Sequence, residues 1–183
     1  MDRDLVDRGR RGDREAYEIL ARTSARRLYG VARRILRDAD RAEDAVQQAL
    51  VDIWLDLPKL RDPDRFEAWT YRLVVRASLA EARRERRHGS NVRSSPDLAS
   101  TTPDEAYATE LRDELDRAFR DLTPEHRAVI VLHHHLGLPL AEIAEILGLP
   151  YGTVGSRLHY GMRQLRSALA EPAPTIRSEG RPA

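Results

Sequence analysis

The stretch LAEIAEILGLPYGTVGSRLHYGMRQLR, residues Leu140–Arg166, contains two apolar stripes at helical spacing. Gly148-Leu149-Pro150 separates them. Gly148 can adopt the positive φ that ends a helix, Pro150 cannot continue one, and Thr153 is predicted to cap the next helix through its hydroxyl. The stretch therefore predicts a helix-turn-helix, two short helices joined by a tight turn.

The second helix of this motif is rich in arginine and in short polar side chains, and it has no acidic residue before Glu171. Arginine binds phosphates and guanine edges, so such a helix suits the major groove of DNA. The competing interpretation is an ordinary helical hairpin whose arginines form a solvated face.

Composition narrows the class of protein. The chain has 183 residues with 33% charged and 5% aromatic side chains, which is typical of a helical protein with modest cores. It contains no cysteine, which excludes disulfides, thiolate metal sites and cysteine nucleophiles. The N-terminus lacks the apolar segment of a signal peptide and no run is long enough to span a membrane, so we expect a cytoplasmic protein without membrane insertion. The net charge is only +1, so the overall charge does not indicate nucleic-acid binding. Local patches of positive charge have to decide that question.

The first half of the chain predicts three amphipathic helical segments. Residues 13–36 form the first, with a break or bend at Thr23-Ser24. A second runs from about Ala42 to Leu57, and its inner stripe is predicted to include Ala45, Val46, Ala49, Leu50, Ile53 and Trp54. Its outward face is acidic and amide-rich, which fits either a plain solvated surface or a protein-binding one.

The third segment opens near Asp64 and extends to Arg87, with arginines concentrated in its C-terminal half. Cations at a helix C-terminus are favoured by the helix dipole, which is a purely structural explanation. A basic helix that begins with aromatic residues also suits a DNA backbone and unstacked bases. Phe66, Trp69 and Tyr71 are individually more typical of core or boundary positions.

Periodicity disappears from His88 to about Thr102, where Ser, Thr, Asn, Gly and Pro accumulate. This segment predicts a flexible linker, and the fold class is therefore all-α, with two small helical domains. We assign residues 1–88 and 104–170 to the domains, 89–103 to the linker and 171–183 to a disordered, proline-rich tail. In the second domain, Thr123 and Pro124 mark a helix start, and Gly137 marks the end of that helix.

The residues do not predict a catalytic or metal site. His133, His134 and His135 are adjacent on a helix and point about 100° apart, so they cannot all bind one ion. No glycine-rich phosphate loop, nucleophile elbow or HExxH pattern occurs in the sequence. We therefore expect neither an enzyme nor a cofactor.

Two long segments give a family resemblance. RAEDAVQQALVDIW, residues Arg41–Trp54, and RFEAWTYRLVVRASLAEARRERR, residues Arg65–Arg87, resemble region two of the extracytoplasmic-function class of bacterial sigma factors, which belong to the sigma-70 family. Residues Leu122–Arg166 resemble region four of the same class. The resemblance implies a non-enzymatic subunit that directs core RNA polymerase to specific promoters and assists melting. It also implies partners: the β′ clamp helices and β flap of polymerase, promoter DNA and an anti-sigma factor.

The resemblance further implies roles for residues. One set would bind core polymerase: Asp44, Gln47, Gln48 and Asp52. A second would contact the −10 promoter element: Trp69, Tyr71, Arg72, Arg76, Arg83, Arg84 and Arg87. A third would contact the −35 element: Thr153, Ser156, Arg157, His159, Tyr160, Arg163 and Arg166. The chain departs from the family pattern at Gly155, where a basic residue is frequent, and at Tyr160-Gly161, where Arg-Ala is frequent, so we expect altered −35 contacts there.

An alternative class fits the helix-turn-helix alone. A conventional transcriptional regulator would join this motif to a helical sensor domain and bind a palindromic site as a dimer, without being a polymerase subunit. The near-neutral net charge favours the sigma factor, because a subunit that polymerase carries to DNA needs little affinity of its own.

Overall fold

The computed structural model describes residues 2–88 and 114–170, and its regular elements there are all helical. The first domain contains α1 (Arg3–Arg10), α2 (Arg14–Leu36), α3 (Ala39–Asp56) and α4 (Phe66–His88), with short 3-10 turns at Leu57–Lys59 and Pro63–Arg65. The second contains α5 (residues 114–120 as described), α6 (Pro124–Ile130, continued by a π-helical segment, Val131–His135), α7 (Leu140–Leu147) and α8 (Tyr151–Ala170).

Local sequence signals account for most helix boundaries. The Asp13 side chain accepts a hydrogen bond from the Ala16 amide and begins α2, and Asp38 does the same for α3 through the Arg41 amide. In the second domain the Thr123 hydroxyl accepts from the His126 amide at 3.2 Å, which confirms the predicted cap. Gly137 and Gly148 have φ of +69° and +64° and follow α6 and α7, as expected for glycines that end helices.

The structure corrects several predicted boundaries. The predicted break at Thr23-Ser24 is wrong, since α2 is continuous and the Thr23 hydroxyl donates to the Ile19 carbonyl of the preceding turn. Helix α3 begins at Ala39 because Asp38 is its cap, three residues before the predicted start. The sequence interpretation did not include α1, whose Val6 and Gly9 are buried against the rest of the domain.

The two domains pack against each other through one continuous apolar core. Side chains of α1 to α4 form its larger part, and Ala128, Val129, Ile143, Ile146 and Val154 of the second domain join it. A smaller cluster lies between α5, α6 and α8. The predicted linker, 89–103, and the predicted tail, 171–183, lie outside the described residues. Within the ranges that the structure describes, no helix is long and apolar enough to cross a membrane.

Candidate polymerase and nucleic-acid interfaces

The outward side of α3 is the first candidate surface. Ala45, Ala49 and Ile53 are buried against the domain core, which turns Asp44, Gln47 and Gln48 toward solvent. Asp52 is half-buried and accepts a 2.9 Å hydrogen bond from the Gln48 side-chain amide. The four predicted polymerase-binding residues therefore lie on one side of one helix.

Large apolar side chains extend this surface. Val51, Trp54 and Leu55 are exposed, Trp54 to 43% and Leu55 to 61%. The prediction that Trp54 belongs to the buried stripe is wrong, because its ring packs edge-on against Tyr17, 4.6 Å between centroids, and keeps one side in solvent. We call the combined surface the α3 face: Asp44, Gln47, Gln48, Val51, Asp52, Trp54 and Leu55. Neighbouring exposed apolar side chains rimmed by polar ones are a frequent feature of protein-binding surfaces.

Arginines of α4 form the second candidate surface. Arg72, Arg76, Arg83 and Arg87 are exposed and are spaced by four, seven and four residues, so they share one side of the helix. We call these four residues the arginine stripe. Arg84 is also exposed and lies 3.4 Å from the Glu81 carboxylate. A row of cations of this length can track a phosphate backbone.

The two aromatic residues predicted for the −10 element differ in their surroundings. Tyr71 is only 8% exposed, and the Arg27 guanidinium lies 5.0 Å from its ring centroid. Burial raises the pKa of the Tyr71 hydroxyl. Trp69 is half-buried and lies beside Phe66, with 6.0 Å between the centroids. In this arrangement Tyr71 belongs to the core, whereas Trp69 reaches the surface.

Trp69 and Arg72 lie beside the second domain. They line a cleft of ≈ 180 Å³ whose opposite wall is formed by Glu142, Glu145 and Ile146 of α7. The Arg65 guanidinium of the first domain lies 3.2 Å from the Glu145 carboxylate of the second. The part of α4 that carries Trp69 thus faces two carboxylates.

The predicted helix-turn-helix is present as α7 and α8, and the positive φ of Gly148 ends α7 as expected. The Leu149 amide donates to the Ala144 carbonyl at 3.0 Å and closes the turn. The predicted cap at Thr153 is wrong, because α8 already begins at Tyr151 and the Thr153 amide donates to the Pro150 carbonyl.

One side of α8 packs on the domain and the other faces solvent. Val154, Gly161 and Leu165 form the buried side. A Cβ on Gly161 would lie 3.0 Å from Ile130 Cδ1 and 3.2 Å from His126 Cβ, so α6 and α8 approach closely there. No atom lies within 4 Å of a Cβ built on Gly155. Both glycines depart from the family pattern, but only at Gly161 does packing between helices require a residue without a Cβ.

The predicted −35 residues occupy the outward side of α8. Ser156, His159, Tyr160, Arg163 and Arg166 are exposed, and Thr153 and Arg157 are half-buried. The Arg163 guanidinium lies 5.2 Å from the Tyr160 ring centroid, an attractive cation–π arrangement. We call this side the α8 face.

The three consecutive histidines, His133 to His135, lie at the end of α6, where His133 and His134 make contacts within the protein. His133 Nδ1 lies 2.9 Å from the Leu138 carbonyl oxygen, and the His133 and His134 rings meet edge to face at 4.7 Å between centroids. The side chain of His135 is largely exposed; the part of it that is shielded from water, together with the nearby Arg34 guanidinium, lowers its pKa. Among the residues with described positions, no group of three metal-ligating side chains could hold an ion.

Two family models match this chain in the order in which the domains occur. The model for sigma-70 region 2 matches residues 20–88, and the model for sigma-70 region 4 matches residues 112–165. A dimeric regulator that carries only the helix-turn-helix does not explain the first match.

Characterised relatives cover most of the chain. It is 39% identical over 150 residues to the ECF RNA polymerase sigma factor SigL of Mycobacterium tuberculosis. The aligned residues make up 79% of this chain and 83% of SigL. It is 26% identical over 174 residues to the ECF RNA polymerase sigma factor SigW of Bacillus subtilis, over 88% of this chain and 93% of SigW.

Solved structures share the fold. CnrH, solved in complex with the cytosolic domain of CnrY, aligns with a TM-score of 0.63 at 24% identity, covering 92% of this chain and 96% of that one. The sigma factor RpoE of Bartonella quintana, solved with the anti-sigma factor NepR, aligns with a TM-score of 0.65 at 20% identity, covering 84% and 96%. Together with the paired family matches and the relatives, this shows that the chain belongs to the extracytoplasmic-function class of RNA polymerase sigma factors, non-enzymatic transcription initiation factors of the sigma-70 family.

Proposed function

We propose that this sigma factor divides its work among the three surfaces: the α3 face binds core polymerase, the arginine stripe contacts and helps to open the −10 element, and the α8 face binds the −35 element. The observation that supports this division most strongly is that the three surfaces lie on three different helices and that the α3 face differs in chemistry from the other two. The α3 face is acidic and apolar, whereas the other two are basic.

The α3 face suits a protein partner better than DNA. Asp44 and Asp52 would repel phosphates, while Trp54 and Leu55 offer apolar area that a protein can cover. Aromatic side chains surrounded by polar groups are frequent anchors of protein interfaces. The β′ clamp helices of core polymerase are the proposed partner of this face, and the β flap is the proposed partner of the second domain.

The arginine stripe and the α8 face suit promoter DNA in two different ways. Four arginines in a row neutralise backbone phosphates, and Trp69 at one end can stack on an unpaired base. Helix α8 extends over 20 residues and carries arginine, serine and histidine on its outward side, as a helix in the major groove does. The protein acts in the cytoplasm by binding, without a catalytic step of its own.

We assign residues 1–88 to the polymerase- and −10-binding domain and 104–170 to the −35-binding domain, with a flexible linker, 89–103, between them. An anti-sigma factor is a further proposed partner, since RpoE was solved in complex with the anti-sigma factor NepR, and CnrH was likewise solved with a second protein, the cytosolic domain of CnrY.

Paired variants test the division of labour. Asp44→Ala with Gln48→Ala should weaken binding to purified core polymerase, while Arg157→Ala or Arg163→Ala should leave it unchanged. The arginine variants should lower initiation from −35-dependent promoters, roughly 5- to 100-fold for the loss of a bidentate base contact. Arg22→Ala, on the exposed side of α2, is the matched control for loss of positive charge. If both sets reduce core binding and promoter recognition alike, the proposed division is wrong.

A further inference from the structure

A cleft lies between the C-terminal end of α2 and the helices α5 and α6 of the second domain. Its volume is ≈ 580 Å³, a size typical of small-molecule sites. We call it the α2–α6 cleft and define it by its cationic, imidazole and aromatic side chains: Arg33, Arg34, Arg37, Phe119, His134 and His135. None of these residues belongs to the α3 face, the arginine stripe or the α8 face.

The α2 wall of the cleft is positively charged. It carries Arg33 and Arg34 of the last helical turn and Arg37, which follows the helix. No carboxylate of the described residues pairs with Arg33 or Arg34, and the Arg34 guanidinium donates to the Gly30 carbonyl at 2.9 Å. Asp116 is the one acidic side chain among the described lining residues, and it lies 3.1 Å from Arg37. Three guanidinium groups against one carboxylate leave the wall with excess positive charge.

The helix dipole accounts for only part of this wall. Cations in the last turn of a helix are stabilised by the dipole, which suffices for Arg33 and Arg34. Arg37, however, has a φ of +61°, a left-handed conformation that glycine adopts more readily. Its ion pair with Asp116 contributes little stability, because that carboxylate is 64% exposed. An arginine at a backbone position that favours glycine indicates a role for its side chain.

A buried cation lies near this wall. Arg127 of α6 is only 8% exposed, and its Nε has no hydrogen-bond partner among the described residues. Burial, reinforced by the nearby Arg37, lowers the pKa of Arg127 to about 10. The Glu85 and Glu125 carboxylates oppose this shift but already pair with other arginines. An anion bound beside Arg37 would therefore offset two cations at once.

The second domain gives the cleft an apolar floor. Ile130 and Val131 are buried there, Phe119 is half-buried, and Leu115 is 42% exposed at the edge. A free ion would leave this floor uncovered, whereas a ligand with an apolar or aromatic body would cover it. The floor and the recessed Arg37, whose side chain is only 12% exposed, suit a small molecule better than a DNA backbone.

We propose that the α2–α6 cleft binds a small phosphorylated molecule with an aromatic or apolar body. The guanidinium groups of Arg33, Arg34 and Arg37 hold the phosphate, since arginine forks match phosphate oxygens in geometry and charge. Phe119 and the apolar floor hold the body. Nucleotides and alkyl phosphates share this chemistry. A ligand in the cleft contacts both domains and leaves the three proposed surfaces open.

Isothermal titration of the full purified chain tests the site. The probes are inorganic phosphate, adenosine and guanosine monophosphates, and octyl phosphate. At least one organic phosphate should bind one-to-one and roughly tenfold or more tightly than inorganic phosphate, because its body covers the apolar floor. The same probe should raise the thermal midpoint of the chain.

The pattern of affinities distinguishes the two sources of the phosphate. Tighter binding of a nucleotide than of octyl phosphate identifies a nucleotide site, and the reverse order identifies a site for lipid-like phosphates. If no organic phosphate binds more tightly than inorganic phosphate, the proposed site is wrong.

Variants of α2 locate the binding. Arg33→Gln with Arg34→Gln should weaken organic-phosphate binding roughly tenfold or more, because charge-assisted hydrogen bonds are lost. Arg22→Gln with Arg26→Gln removes the same charge from exposed positions of the same helix and should bind as wild type does. Equal losses in the two double variants would contradict a site in the cleft. If no small phosphate binds and the first double variant instead loses affinity for duplex DNA, these arginines contact a DNA backbone and the proposal is wrong.

Two milder variants serve if the glutamine pair folds poorly. Arg33→Lys with Arg34→Lys keeps the charge and loses the planar forks, so it should weaken binding less than the glutamine pair but measurably. Phe119→Leu keeps apolar volume and removes the ring, so it should weaken nucleotide binding more than octyl phosphate binding. Circular dichroism at the titration temperature checks that each variant is folded. Wild-type affinity for every probe in both milder variants would overturn the proposal.

Discussion

Gly161 of α8 and Ile130 of α6 lie so close that a Cβ on the glycine would be 3.0 Å from the isoleucine Cδ1. The same Cβ would also lie 3.2 Å from His126 Cβ, so a movement of the isoleucine side chain alone would not relieve both contacts. The glycine sets the distance between the two helices and so fixes where α8 presents its outward side.

Two glycine variants on the same helix separate packing from helix propensity. Gly161→Ala should lower the free energy of unfolding by about 1 kcal/mol or more, because the added methyl overpacks the α6–α8 contact. In Gly155→Ala the added methyl group would contact no neighbouring element within 4 Å. This substitution should raise the free energy of unfolding by up to about 1 kcal/mol, because alanine favours the helix more than glycine does. Urea unfolding followed by circular dichroism measures both. Equal effects of the two substitutions would contradict the packing role of Gly161.

Trp54 should anchor the complex with core polymerase. Trp54→Ala removes the largest exposed apolar side chain of the α3 face and should weaken core binding roughly tenfold or more, as hot-spot aromatics do. Leu169→Ala, which removes a similarly exposed apolar side chain at the end of α8, is the control. Fluorescence titration of labelled chain with core enzyme gives the affinities. An effect no larger than that of the control would exclude Trp54 from the interface.

Asp13 should make the α1–α2 corner sensitive to acid. The amide of Ala16 and the guanidinium of Arg8 donate hydrogen bonds to this carboxylate and lower its pKa. A depressed folded-state pKa stabilises the native state fully above the unfolded value near 3.8 and loses that contribution as the pH falls through the folded value. The thermal midpoint of wild type should therefore exceed that of Asp13→Asn near neutral pH, and the gap should close below pH 4. A gap that widened in acid would contradict this.

His133 should stabilise the connection between α6 and α7 and should bind no metal. Its Nδ1–H donates to the Leu138 carbonyl, so His133→Ala should cost about 1 kcal/mol of unfolding free energy. The exposed neighbour His134 should tolerate alanine with a smaller loss. Zinc or a chelator should leave the thermal midpoint of wild type unchanged. A zinc-dependent rise that disappears in His133→Ala would show that these histidines do form a metal site.

Local chemistry explains what the sequence predicted well. Helices α3 and α4 were predicted from apolar periodicity, and the start of α6 from Thr123 and Pro124. The turn of the helix-turn-helix followed from Gly148, whose φ of +64° has the predicted sign. These features depend on neighbours within a few residues, which the sequence displays directly.

Features set by tertiary packing were not predictable in the same way. Trp54 and Tyr71 are both aromatic residues on amphipathic helices, yet Trp54 is exposed and Tyr71 is buried under Arg27. The position of α7 over Trp69 and the burial of Arg127 depend on how two domains meet. Helix α1 has eight mostly polar residues and is fixed by contacts such as Gly9 against Leu57, which no local pattern shows.

The central claim is that this chain gives core polymerase its promoter specificity, and run-off transcription tests it most directly. Purified core enzyme with this chain, presented with a random-sequence promoter library, should initiate from templates that share one −35 and one −10 motif. Core enzyme alone should not select them. If adding the chain yields no initiation from any template, the claim is contradicted.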